Sequence, residues 1–192
     1  KKKKITIIQN FLPDYLENYV FSRQKKIYDF IYIGRLSNEK NYKFMFDLAK
    51  KIKKLNILII SNDKDNFQLD IKNIRYLNNI KNIEIFEYLI KSKFLLLPSH
   101  YEGQSKVMLE AIHCEVPVFA KNSIGINKVI SHKQNGFLFE KLEDLIEIYD
   151  MAEKDQNLLK TIKYNAKKQI SNQHLLSKII KKEINLLKLL ND

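Results

Sequence analysis

Residues 93–121 run KFLLLPSHYEGQSKVMLEAIHCEVPVFAK, and the fold follows from how they are read. Residues 94–97 are a short apolar run that stops at Pro98, as a buried parallel strand does. Pro98 and Ser99 break the chain, and Gly103 is expected to let it turn tightly. Val107, Met108, Ala111 and Ile112 then recur at helical spacing. Residues 117–120, Pro-Val-Phe-Ala, resume as a strand. Two carboxylates frame the unit: Glu102 in the turn and Glu110 within the helix, seven residues between them. In continuous helix their separation would be about 12 Å. Between them lies a helix start, where free N–H groups and the positive dipole end favour a phosphate. Glutamates at this spacing are common by chance, and a glutamate on a helix is usually a solvated face. The strand-turn-helix-strand context carries more weight than the spacing.

The same grammar repeats along the chain. Residues 29–33 form an apolar strand that ends in Gly34-Arg35-Leu36. Ser37 or Asn38 would cap the following helix, with Glu39 in its first turn and Tyr42, Met45, Ala49 and Ile52 on its buried face. Gly34 would permit close backbone approach. Arg35 and Lys40 would then stand at a helix mouth, able to share one diphosphate; Arg grips phosphate with two parallel hydrogen bonds, Lys as a point charge. Further strands are expected at 56–60, 74–77 and 137–139, and helices at 82–92 (with Ile83, Phe86, Leu89 and Ile90 buried), 125–130, 141–153, 155–170 and 174–190. Residues 5–9 are a further strand candidate, and residues 10–18 have turn character. Alternation of strands and helices predicts an α/β domain: a parallel sheet with helices on both faces. Ligands of such sheets bind beyond the carboxyl ends of the strands. Gly34-Arg35 and residues 98–105 both follow such an end, so one crevice could hold both.

Composition narrows the classes. A chain of 192 residues fits one domain with appendages, and 45% hydrophobic content supports a sizeable core. No apolar run reaches the length of a membrane span, and the four leading lysines precede too short an apolar run for a signal peptide. The net charge of +12 arises from 34 basic and 22 acidic residues. Only Arg23, Arg35 and Arg75 are arginines. Readers of nucleic acid lean on Arg for base contacts. General lysine enrichment therefore ranks first, attraction to an anionic membrane surface second and nucleic acid third. Cys114 is the single cysteine, so no disulfide forms within the chain, which suits the cytoplasm. The lone cysteine and four scattered histidines offer no zinc spacing.

PSHYEGQSKVMLEAIHCEVPVFA resembles the E-x7-E segment of GT-B glycosyltransferases, specifically the retaining enzymes of glycosyltransferase family 4. YIGRLSNEKN is similar to the same family's GRL-x-x-x-K segment. The resemblance spans about residues 5–171 and implies the carboxyl-terminal, donor-binding half of such an enzyme, a Rossmann-like sheet with extra carboxyl-terminal helices. It implies that Arg35 and Lys40 hold the donor's phosphates. Glu102, with Gly103, Gln104 and Ser105, would hold the sugar and phosphates, and Glu110 the ribose hydroxyls. Residues 78–80 would lie against the nucleobase. Many members carry Phe-Gly where this chain has Gln104-Ser105. A Gly-acid-Gly turn is usual where it has Ser61-Asn62-Asp63. A glycine is common at Glu115, and a Glu where Asn127-Lys128 stand.

The expected function is transfer of a sugar, with retained configuration, from a nucleoside-diphosphate-sugar of UDP or GDP type to a glycan or lipid-linked acceptor. The resemblance implies that neither a cofactor nor a metal is required. Arg35, Lys40 and Glu102 would carry the chemistry by stabilising the leaving diphosphate and orienting the sugar. Residues 1–27 are expected to link to an amino-terminal half that binds the acceptor, residues 28–171 to bind the donor, and residues 172–192 to form the final helix. That helix shows Leu176, Ile180, Ile184 and Leu187 on one face and a strongly apolar end at residues 186–190, suited to packing on the other half or a second copy. The place of action would be the cytoplasm, at the inner face of the membrane if the lysines meet anionic lipid. The alternatives are a nucleotide-sugar epimerase or phosphorylase on the same fold, and a non-catalytic basic module for nucleic acid or anionic membrane.

Overall fold

The computed structural model describes residues 10–13, 16, 21–22, 24–63, 71–103 and 105–191, with the last three as backbone only. The strand candidate at 5–9 and Gln104 lie outside the described residues, as does most of the crossover at 63–73. Six strands form one parallel sheet: β1 (Tyr28–Ile33), β2 (Ile57–Ile60), β3 (Ile74–Leu77), β4 (Ser92–Leu97), β5 (Val118–Lys121) and β6 (Phe137–Phe139). Their spatial order is β3-β2-β1-β4-β5-β6, and every neighbouring pair is parallel. The helices are α1 (Lys43–Lys51), α2 (Asn82–Ile90), α3 (Lys106–His113), α4 (Leu142–Lys154), α5 (Gln156–Gln173) and α6 (Leu176–Asn191).

Continuous apolar strands demand cover on both faces, and the helices supply it. Side chains alternate across the pleat. On one face Ile31, Leu58, Ile60, Leu95, Leu97, Val118 and Ala120 pack against α2, α3 and α5. On the other, Phe30, Tyr32, Ile57, Ile59, Phe94, Leu96 and Phe119 pack against α1 and α4. Phe30, Phe94 and Phe119 meet one another at 4.8–5.7 Å between ring centroids. Each such ring, fully buried, contributes about 1.5–3 kcal/mol. Asp29 is the second residue of β1 and is buried. It accepts from the Tyr149 hydroxyl at 3.0 Å and the Asn56 N–H at 2.8 Å, and pairs with Lys93 at 3.0 Å.

Several expectations shift. The helix after β1 starts at Lys43, not beside Ser37 or Asn38; residues 38–42 are turns, with Asn41 in the left-handed region at φ +52°. The segment 125–130 is a three-residue 3-10 turn, Ile126–Lys128. Ile83 was expected inside and is 64% exposed. On α6 the buried side carries Ile179, continuing from Leu175, while Ile180, Ile184 and Leu187 face outward. Helix α5 runs to Gln173 without a break at 171. Leu12 and Leu16 join the core, and Leu12 exchanges backbone hydrogen bonds with His174 and Leu176. None of the described helices is long and apolar enough to cross a membrane.

Candidate functional site

The strand order reverses its direction of growth between β1 and β4. From β1 the chain proceeds outward to β2 and β3; it then returns to β4 and proceeds the other way. The connections after β1 and β4 therefore leave on opposite faces and open a crevice between them. Both motifs singled out in the sequence hang over this point. Gly34 and Arg35 follow β1, and residues 98–105 follow β4.

The two turns are laced together. The His100 N–H donates to the Glu39 carbonyl at 2.9 Å, and the Asn41 side chain donates to the Pro98 carbonyl at 3.1 Å. Across this seam Lys40 Nζ meets Glu102 Oε1 at 2.5 Å, two residues 62 apart in the chain. The Ser99 hydroxyl donates to the same oxygen at 3.1 Å. Glu102 is thus aimed by one cation and one hydroxyl, its side chain 11% exposed. Arg35 is exposed and forms no salt bridge among the described residues. Its guanidinium is the open cation at the crevice, whereas Lys40 begins in a pair.

Glycine matters here at two positions. Gly34 has φ +155°, and a Cβ there would meet the Tyr32 hydroxyl at 3.2 Å. Gly125, with φ +96°, lies so close to Glu102 that a Cβ would fall 1.7 Å from the Glu102 carbonyl oxygen. Gly103 differs from expectation: it has no positive φ, and a Cβ there would meet nothing within 4 Å. The chain's four glycines are few enough that Gly125 could have been singled out, but its neighbour is visible only in three dimensions.

Ser105 caps α3, its hydroxyl accepting from the Met108 N–H at 3.3 Å. The start of α3 is thereby fixed, its cap three residues after Glu102, with its remaining free N–H groups pointing out of the helix's amino end. Glu110 lies farther along α3 and is buried. Its carboxylate is 3.7 Å from Lys106. Burial pushes its pKa up, and Lys106 offsets part of that. Among the described residues no hydrogen bond or ion pair joins Glu110 to the Lys40–Glu102 pair. So the structure joins Lys40 and Glu102 directly, sets Gly34 after β1 and Gly103 and Ser105 after β4, leaves Arg35 exposed with no salt bridge among the described residues, and places Glu110 within α3. Sequence reasoning passed over Ser99, Tyr32 and Asp63. Tyr32 is a buried β1 residue whose hydroxyl donates to the Arg35 carbonyl at 2.5 Å. Burial, with the carboxylates of Glu102 and Asp63 nearby, pushes that phenol's pKa up. Among the described residues no three His, Cys, Asp or Glu side chains gather as a metal site.

A family model for glycosyl transferases group 1 matches residues 19–169. The chain belongs to that family. An uncharacterized 41.2 kDa protein in the cps region of Klebsiella pneumoniae is 30% identical over 133 residues, covering 66% of this chain and 37% of its own length. The capsular polysaccharide biosynthesis glycosyltransferase CapM of Staphylococcus aureus is 25% identical over 156 residues, covering 74% of this chain and 41% of its own. The chain spans about half or less of the curated relatives it matches. Among solved structures, the C-terminal domain of the group 1 family protein LpcC from Francisella tularensis superposes with a TM-score of 0.69 at 19% identity, over 86% of this chain and 99% of that one. Anabaena HepE, solved with UDP-glucose, gives 0.72 at 18% identity, over 84% of this chain and 49% of that one. At such identities the likeness is one of fold. The group 1 domain seen here is the α/β half of a GT-B architecture.

Proposed function

We propose that this group 1 domain binds a nucleoside-diphosphate-sugar and serves as the donor half of a retaining glycosyltransferase acting on a glycan or lipid-linked acceptor. The observation that carries the reading is the junction of Lys40 and Glu102 at the β1/β4 switch point, with Arg35 free beside it. A diphosphate entering the crevice would accept two N–H hydrogen bonds from the Arg35 guanidinium fork and share Lys40 with Glu102. The capped start of α3 would offer backbone N–H groups to the same anion. These groups would stabilise the charge that grows on the leaving diphosphate as the glycosidic bond breaks. Glu102, held by Lys40 and Ser99, would orient sugar hydroxyls. Glu110 would accept from the ribose. The acceptor would be bound by the part of a full-length enzyme that lies outside this chain, so donor binding without transfer is expected here.

The family and the capsular-polysaccharide relative support this reading, as does the likeness to a fold solved with UDP-glucose. A thermal-shift screen against UDP, GDP, ADP and their sugars tests it. At a hundredfold excess over Kd, a true donor adds about 2.7 kcal/mol of stability. Arg35→Ala and Glu110→Ala are each expected to remove most of the shift. A screen in which no nucleoside diphosphate stabilises the chain would defeat the proposal.

A further inference from the structure

We propose that the turn Ser61-Asn62-Asp63 after β2 is a positioning device that braces the donor crevice from two sides, Asp63 fixing the Arg35 turn and Asn62 fixing the turn at Asn79. The inference rests on the donor-binding reading above. Its starting point is a single peptide group, the one joining Arg35 to Leu36. The carbonyl of that group accepts from the Tyr32 hydroxyl at 2.5 Å. Its N–H donates to the Asp63 carboxylate. A peptide held at both ends cannot rotate, and its orientation sets the direction in which the Arg35 side chain leaves the backbone. Arg35 forms no salt bridge that could aim it instead, among the described residues. An arginine that grips phosphate in a fork needs such aim more than a lysine does.

Asp63 is itself held. It accepts from the Ser61 hydroxyl at 3.2 Å, and its N–H donates back to that oxygen at 3.3 Å. The Tyr76 hydroxyl of β3 reaches the carbonyls of Ser61 at 3.0 Å and Asp63 at 2.9 Å. Between the two, the Asn62 side chain accepts from the Asn79 N–H at 3.0 Å. Asn79 has φ +52°, a conformation that is uncommon outside glycine and is kept only where neighbours hold it. One three-residue turn therefore touches both the Arg35 turn and the loop after β3. Glycines in this turn would provide neither side chain.

The test uses the chain with inorganic pyrophosphate, UDP and GDP as calorimetric probes. Asp63→Ala is expected to weaken pyrophosphate and the preferred nucleoside diphosphate alike, by about tenfold, as befits loss of a charge-assisted hydrogen bond. Asp63→Asn keeps an oxygen for the Leu36 N–H and should recover most of the affinity. Asn62→Ala should weaken the nucleoside diphosphate and leave pyrophosphate unchanged. Tyr32→Phe, which frees the other end of the peptide, should reproduce the Asp63→Ala loss and serves if that variant does not fold. Parent-like binding by Asp63→Ala or, where that variant does not fold, by Tyr32→Phe overturns the bracing role alone. Equal losses in Asp63→Ala and Asp63→Asn, tracking a fall in melting temperature, overturn it as well. A parent chain that binds none of the three probes overturns the donor reading and this inference together.

Discussion

Lys40 and Glu102 neutralise each other at 2.5 Å, so a diphosphate must compete for Lys40. Arg35 forms no salt bridge among the described residues. Arg35→Ala is therefore expected to cost donor affinity about tenfold or more, and Lys40→Ala less, because Lys40 is already engaged by Glu102. Titration calorimetry with the preferred nucleoside diphosphate separates the two. Glu110 makes a prediction of opposite sign for stability. Burial disfavours its charged form, so its folded pKa lies above the unfolded one. Ionisation then costs stability above that raised value, and protonation recovers it as the pH falls. Glu110→Gln should melt higher than the parent at about pH 8, and the gap should close toward about pH 4. The same variant should bind the donor more weakly if Glu110 meets the ribose. Cys114, buried and with its pKa pushed up to about 12, should resist alkylation at about pH 8 until the chain unfolds.

At the scale of elements, the sheet is held by its aromatic face and by the buried carboxylate that anchors β1. Asp29→Ala would strand the Tyr149 hydroxyl and the Asn56 N–H. It is expected to lower stability by about 2–3 kcal/mol, seen as a lower urea midpoint. Gly125→Ala places a Cβ on the Glu102 carbonyl and should cost about 1–3 kcal/mol while displacing Glu102. Strands were the legible part of the sequence. β3 and β6 stand where residues 74–77 and 137–139 placed them, because short runs rich in β-branched, aromatic and aliphatic residues between turn residues have few other uses. The start of α1 was misjudged for a physical reason. Ser37, Asn38 and Glu39 carry the local signature of a cap, yet the lacing of Glu39, Lys40 and Asn41 to the turn after β4 holds those residues out of the helix. Ile83 was misjudged because periodicity shows which residues share a side, not which side meets the core.

For the molecule as a whole, a crevice shared by two strand ends was readable from the alternation of strands and helices, and Lys40 and Glu102 meet across it. What the sequence could not convey were contacts between distant turns: Ser99 on Glu102 is local, but Gly125 against Glu102 and Asp63 against Leu36 exist only once the strands are ordered. The chain is a group 1 domain and spans about half or less of its relatives' length. The central claim is that a nucleoside diphosphate lodges where β1 and β4 end. Amide NMR of the labelled chain titrated with UDP and GDP reads this directly. The account predicts that the resonances of Gly34, Arg35, Lys40, Glu102, Gly103 and Ser105 move together and saturate with one of the two nucleotides. Saturable shifts confined to another surface, or none with either nucleotide, would contradict it.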